Sequence, residues 1–216
     1  MKKILFLLVL SILSVGISFS QTKTRVGVTA GLNVSNLNES ESGSSNKFKA
    51  GFQAGVVADF SITDKFSIMP ELLFSQRGAK YSETEAGIGS YSTSTTLNYL
   101  QLPINAAYKF DVGVGSKVFV FAGPYFGYGL SGSGKENYTY ADASQNYGES
   151  YDIKFGSKDE EMKAFDIGIN VGVGYEFDKI FFKLQWNPGF GNLLNYSGGG
   201  SVKNTNLAVT VGYYFL

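Results

Sequence analysis

The 216-residue chain has no histidine and no cysteine. This removes the commonest general base and the commonest metal ligand, and with them thiolate metal sites, cysteine nucleophiles, disulfides and a lipid-bearing N-terminal Cys. A serine nucleophile would need Lys or a carboxylate as its base, and no Ser-x-x-Lys lies within a segment of strand periodicity. Gly127-Tyr128-Gly129-Leu130-Ser131-Gly132 fits G-x-G-x-x-G, but the dinucleotide fingerprint needs a helix after the turn, and a polar loop follows here. The segment Ser131–Met162 carries Glu136, Asp142, Glu149, Asp152, Asp159, Glu160 and Glu161 without the spacing of a calcium loop. It reads as a solvated acidic loop. Asn33, Asn38, Asn137 and Asn195 open Asn-x-Ser/Thr triplets, which an Asn- and Ser-rich chain produces by chance. The expectation is a non-enzyme with no cofactor and no metal.

The polar groups that remain are charges on one face of alternating segments: Lys49, Asp59, Glu71, Arg77, Lys109, Asp166, Glu176 and Lys183. From Arg25 onward the dominant period is two, the strand period. Val26, Val28, Ala30, Leu32 and Val34 share one face of the first strand. Phe48 to Phe60, Phe66 to Phe74, Leu100 to Phe110, Val118 to Tyr128, Phe165 to Phe177, Ile180 to Trp186 and Leu207 to Phe215 repeat the pattern. That predicts eight antiparallel strands. Short turns fall at Ile62–Asp64, Asp111–Ser116 and Asp178–Lys179, and long polar segments at Ser35–Lys47, Gly78–Thr96, Ser131–Met162 and Gly189–Asn204. Short turns at one end and long loops at the other are the habit of outer-membrane barrels.

The first twenty residues read as an address. Met1-Lys2-Lys3 precedes an apolar run from Ile4 to Leu10, interrupted as it continues to Phe19, with Ser18 and Ser20 placed for cleavage before Gln21. The run is too short for a spanning helix. The expectation is a signal peptide over residues 1–20 and one domain over 21–216. The 18 basic and 18 acidic residues cancel, which offers nothing to nucleic acid. With 18 Phe, 14 Tyr and 27 Gly against 4 Pro, the composition is that of a β protein.

Which face points outward decides the class. A soluble eight-stranded barrel turns its apolar face inward, where side chains just fill the lumen. Here the apolar face is too rich in large aromatics for that space, whereas the opposite face is Gly, Ser, Asn, Gln and a few charges. Aromatics also gather at strand ends (Phe48 and Phe60, Phe66 and Phe74, Tyr175 and Phe177, Tyr213 and Phe215) as two girdles would. In lipid every strand edge must be paired, so the first strand should close onto the last.

Three features then resemble the PorT-type outer-membrane β-barrel family of Gram-negative bacteria. Tyr99-Leu100-Gln101-Leu102-Pro103-Ile104 is similar to its Y-L-x-[IL]-P-[IL] strand. Val118-Phe119-Val120-Phe121-Ala122-Gly123-Pro124-Tyr125 is similar to its V-x-x-x-A-G-P-Y strand. Phe165 to Glu176 resembles its Gly-rich sixth strand. Gln185-Trp186 and Gly189-Phe190-Gly191-Asn192 depart from the family's Arg-Tyr pair and G-L-x-N turn, and Leu216 from its commoner final Phe. The resemblance implies an outer-membrane barrel and, through the founding member, a link to secretion.

The expectation is therefore an all-β, eight-stranded, antiparallel up-and-down transmembrane barrel in the outer membrane of a Gram-negative bacterium. Its role is structural or accessory to a secretion or envelope complex. The partners are outer-membrane lipid, the barrel-assembly machinery during insertion, and envelope or secretion proteins at the long loops, where Tyr138, Tyr140, Tyr147 and Tyr151 form an adaptable contact surface. The lumen charges should plug the barrel: Glu71 near mid-height of the third strand within reach, across the lumen, of Lys183 lower on the seventh, Asp59, Lys109 and Glu176 at the short-turn end, and Lys49 beside Arg77 near the other. The alternatives are a small channel for ions or polar solutes, and a soluble periplasmic ligand-binding barrel.

Overall fold

The computed structural model describes residues 24–39, 47–85, 89–140, 143–158, 161–195 and 200–215. The expected signal peptide lies outside them. Eight long strands close into a ring: β1 (Thr24–Glu39), β2 (Lys47–Ser61), β3 (Phe66–Glu85), β4 (Gly89–Gly113), β5 (Ser116–Tyr140), β9 (Phe165–Phe177), β10 (Ile180–Pro188) and β11 (Val202–Tyr214). Between β5 and β9 lie β6 (Tyr147–Ile153), β7 (Phe155–Gly156) and β8 (Met162–Lys163). Every neighbouring pair in the ring is antiparallel, and β1 closes onto β11 from Gly27 opposite Tyr214 to Glu39 opposite Val202. The short turns are as the alternation predicts. Gly115 and Asp178 take positive φ (70° and 53°) there, letting two-residue connections match the strand twist.

Strand alternation sorts the chain radially. Val26, Leu32, Phe52, Val56, Ile104, Val120, Ile167, Leu184, Trp186 and Val209 are exposed on the outside, while Thr29, Asn33, Ser35, Gln53, Glu71, Gln101, Asn170 and Thr210 are buried within. A soluble barrel with its apolar face inward is thereby overturned. Pro70, Pro103 and Pro124 sit inside the wall, and the β2–β3, β3–β4 and β4–β5 ladders each skip two pairs at one of them, in that order, without changing register, because proline has no N–H to donate.

Two sequence expectations need correction. The interior is not simply Gly and polar groups, because Val57, Met69, Ala107, Phe119, Phe121, Phe181 and Tyr214 form a buried apolar cluster inside the ring. The glycines are their seats. Phe119 lies directly opposite Gly174, Phe121 opposite Gly172, Tyr125 opposite Gly168 and Phe181 opposite Gly212. A Cβ on any of these four glycines would run into the facing ring, so each ring lies flat across a position without a side chain. Second, Gly78–Thr96 and Ser131–Met162 are not mainly loop. β3 and β4 pair out to Glu85 and Gly89, β4 and β5 out to Gly89 and Tyr140, and β6 adds to β5. β3, β4 and β5 thus continue past the ring and, with β6 added to β5 and the start of β2 beside β3, form one projecting sheet. Backbone hydrogen bonds and cross-strand side-chain pairs outlast the apolar pattern, which is why a hydropathy-led boundary stops too soon.

Candidate functional site

The lumen holds the candidate charges in three tiers. At the short-turn end, Arg25 of β1 donates to Asp59 of β2 at 2.6 Å and to both oxygens of Glu176 of β9 at 2.5 and 2.8 Å. Lys109 of β4 donates to the same Asp59 oxygen and lies 4.0 Å from Glu176. Two cations and two carboxylates from four strands balance, and the Arg25 guanidinium rests 4.1 Å above the Tyr214 ring. Asp59, Lys109 and Glu176 were expected together. Arg25 was not, although it shares the parity of Thr29 and Asn33; the β1–β2 register sets it directly opposite Asp59.

At mid-height Glu71 of β3 and Lys183 of β10 meet across the lumen, with Lys183 Nζ 2.5 and 2.6 Å from the two carboxylate oxygens and both side chains 1% exposed. Asn105 Nδ2 donates to Glu71 at 3.3 Å. Behind it runs a chain of amides with one polarity: Asn206 donates to Asn187, Asn187 to Asn170 and Asn170 to Asn105. Each amide hydrogen points toward the Glu71 end, so four aligned dipoles favour the negative charge there. Lys183 Nζ also faces the Phe121 and Phe181 rings at 5.8 and 5.7 Å. A buried ion pair persists only when its remaining valences are met; here amides and ring faces meet them.

Nearer the long-loop end, Arg77 of β3 donates to Gln101 at 2.9 Å and lies 3.8 Å from Asp166 of β9. Asp166 accepts from Tyr125 Oη at 3.1 Å and from Asn204 at 2.9 Å, and Asn204 also donates to Tyr99 Oη at 3.3 Å. The expected Lys49–Arg77 neighbourhood is corrected. The β2–β3 register shifts between Phe48 and Gln53, and Lys49 turns instead onto Ser94 at 3.1 Å and onto Thr96. The amides of Asn33 and Gln53 are buried in the lumen without a protein partner, so this layer is polar enough to hold water.

Above these tiers an apolar cap closes the mouth. Leu37, Ala79, Leu97, Tyr99 and Leu193 are buried together, with Ile153, Phe155, Met162 and Val202 packed on them. The connection after β6 folds back to make this cap. Lys163 N donates to Leu193 O at 2.8 Å, and Asn195 Nδ2 to the carbonyls of Gly156 and Glu161 at 3.0 and 2.8 Å. Among the described residues no group of three His, Cys, Asp or Glu is placed to hold a metal ion.

The projecting sheet sorts its side chains by face. Register partners share a face, so Tyr81, Glu83, Tyr91, Thr93, Glu136, Tyr138, Tyr147, Glu149 and Tyr151 lie on one side. Their rings form a ladder, Tyr81–Tyr91 at 6.3 Å, Tyr91–Tyr138 at 4.7 Å and Tyr138–Tyr147 at 6.3 Å. Tyr147 Oη donates to Glu149 at 2.8 Å, which raises the Tyr147 phenol above its ordinary value. Burial and Glu136 raise Tyr151 likewise. Tyr140 lies at the outer end of β5, beside a cavity of about 190 Å³ that it lines with Glu83, Glu85, Tyr91 and Tyr138. The four tyrosines singled out from sequence therefore sit on an ordered sheet.

The family described as outer membrane protein beta-barrel domain matches residues 19–195. Among solved structures the chain is similar to a major outer membrane protein from Thermus thermophilus, with 14% identity, 89% of this chain and 99% of that one covered, and a TM-score of 0.47. It is similar to Neisserial surface protein A at 13% identity, 88% and 97% covered, TM-score 0.45. It is also similar to Ail, the attachment invasion locus protein of Yersinia pestis, in complex with the heparin analogue sucrose octasulfate, at 12% identity, 89% and 99% covered, TM-score 0.44. Among curated proteins no relative matches the chain. With an apolar exterior, a ring closed from β1 to β11 and the family match over most of its length, the chain belongs to the outer membrane protein beta-barrel family.

Proposed function

We propose that the protein is a closed, non-catalytic barrel of the Gram-negative outer membrane, exported by a cleaved signal peptide, that serves a secretion or envelope complex as a structural or accessory subunit. The observation that carries this reading is the filled lumen: three charge tiers, an aromatic cluster and an apolar cap succeed one another along the axis. Such a barrel presents surface instead of a path. The projecting sheet is its contact element, with Tyr138, Tyr140, Tyr147 and Tyr151 supplying large, stiff rings at low entropic cost. The resemblance of Tyr99–Ile104 and Val118–Tyr125 to PorT-type strands supports the link to secretion.

The test is purification from native membranes in mild detergent, with quantitative mass spectrometry of what accompanies the barrel. A stoichiometric companion that is lost from a Y138S/Y147S variant is expected. A solitary barrel, or a companion indifferent to the substitutions, would defeat the accessory reading. Steady open-channel conductance from the purified protein in a planar bilayer would replace it with the alternative, a small channel for ions or polar solutes.

A further inference from the structure

The face of the projecting sheet opposite the tyrosine ladder carries lysines. Lys47 of β2 lies directly opposite Lys80 of β3, Lys80 opposite Ser94 of β4, and Ser94 opposite Lys135 of β5. One transverse row thus reads Lys, Lys, Ser, Lys, and Lys49 reaches Ser94 and Thr96 from beside it. Like charges directly opposite one another destabilise a sheet. Among the described residues none of the four lysines forms an ion pair. Glu83, Glu136 and Glu149 all lie on the other face. Asp152, opposite Ser133 at the β6 edge, shares the lysine face and pairs with none of them. Burial and the nearby Lys80 and Lys135 charges lower the Lys49 pKa from its ordinary value. Among the described residues the row is a concentration of positive charge without an anion.

Its height says which anion. This face continues the exterior of the barrel, where Phe52 and Phe74 pack at 5.6 Å as part of the upper aromatic girdle. Lys49 lies three residues beyond Phe52 and Lys80 six beyond Phe74, about 10 and 20 Å along the strands. With strands tilted roughly 40°, the backbone at Lys49 and Lys80 stands about 8–15 Å above the girdle. A phospholipid headgroup layer is only about 5–8 Å deep, whereas a saccharide head bearing phosphates reaches that height. Serine and threonine hydroxyls between the lysines (Ser82, Ser92, Ser94, Thr96, Ser133) add hydrogen-bond donors suited to phosphate oxygens and sugar.

We propose that Lys47, Lys49, Lys80 and Lys135 form a site for the phosphates of a glycolipid headgroup in the outer leaflet. The site is independent of any protein partner at the tyrosine face. It places an anionic headgroup against one sector of the barrel wall and fixes which side of the projecting sheet faces the membrane.

The test uses the purified full barrel in nanodiscs, titrated with a phosphorylated glycolipid, with the same glycolipid after dephosphorylation, with phosphatidylglycerol and with inorganic phosphate. Bound lipid is read by native mass spectrometry, and folding by heat-modifiable electrophoretic mobility. The phosphorylated glycolipid is expected to bind at least tenfold more tightly than the other three. Affinity should fall about fivefold per lysine removed. K80Q/K135Q, at two exposed positions, keeps the test available if the quadruple variant does not fold, and E83Q/E149Q on the opposite face should bind as wild type. Equal binding of the dephosphorylated glycolipid, or unchanged binding by folded K80Q/K135Q, would overturn the proposal. Equal binding of phosphatidylglycerol would refute the height argument and with it the glycolipid; equal occupancy by inorganic phosphate would reduce the site to a nonspecific anion patch.

Discussion

Lys183→Met asks whether the buried pair at mid-lumen holds the barrel together or merely fills it. The Glu71 carboxylate has Lys183 Nζ at 2.5 and 2.6 Å and Asn105 Nδ2 at 3.3 Å, with about 1% of its side chain exposed. At an effective dielectric near 20, two charges this close attract by about 6 kcal/mol. Desolvating them costs several kcal/mol each, so the intact pair is close to neutral against an apolar pair of similar size. Removing only the lysine leaves the carboxylate buried with the amide chain alone, and the expected loss is about 3–5 kcal/mol. Glu71→Gln combined with Lys183→Met should recover most of it, since no charge is then stranded. The assay is urea unfolding of the barrel in lipid vesicles, followed by Trp186 fluorescence and by heat-modifiable mobility. If the single and double variants lose the same stability, the charge is not the cause and the electrostatic reasoning fails. A loss below about 1 kcal/mol for Lys183→Met would mean that Glu71 is solvated, and that the lumen is wetter than its burial indicates.

The remaining predictions address the packing, the cap and the tyrosine face. Gly174→Val or Gly212→Val forces the Phe119 or Phe181 ring from its seat and should cost about 1–3 kcal/mol, whereas Phe181→Ala opens a cavity and should cost about 3–5 kcal/mol; equal tolerance of both in urea unfolding would refute the seat. Leu193→Asp places an unpaired charge in the cap, and should raise proteolysis of the segment after β6 without abolishing the heat-modifiable mobility of the folded barrel. An unaltered cleavage pattern would show that the cap is not what orders that segment. Because Glu149 raises the Tyr147 phenol, their bond contributes below pH about 10, the ordinary tyrosine value, and is lost as pH rises through the higher folded value. Absorbance titration in the near ultraviolet should show this late titration, and Glu149→Gln should move it back toward the ordinary value.

The amino-acid sequence alone determined the ring. Strict alternation over eight segments with turns of two lengths has one solution in lipid, a closed antiparallel barrel, because every edge must be paired there. Parity along each strand likewise assigned Glu71, Lys183, Asp59, Lys109 and Glu176 to the interior, since a residue two positions along a strand keeps its face. What parity lacks is height and angle around the barrel, which depend on register and shear. A shift between Phe48 and Gln53 therefore sent Lys49 to the outer face while Arg77 met Asp166. Arg25 joined the lower tier because the β1–β2 register sets it directly opposite Asp59, while closure of β1 onto β11 brings Tyr214 beneath its guanidinium. The glycines of β9 were visible in sequence, but their purpose was not. A glycine becomes a seat only when register sets a ring opposite it, as it does for Gly174 and Phe119. The same holds above the ring. Lys47, Lys80 and Lys135 are scattered along the chain and become one row when β2 to β5 align, because hydrogen-bonded register turns distance in sequence into neighbourhood in space.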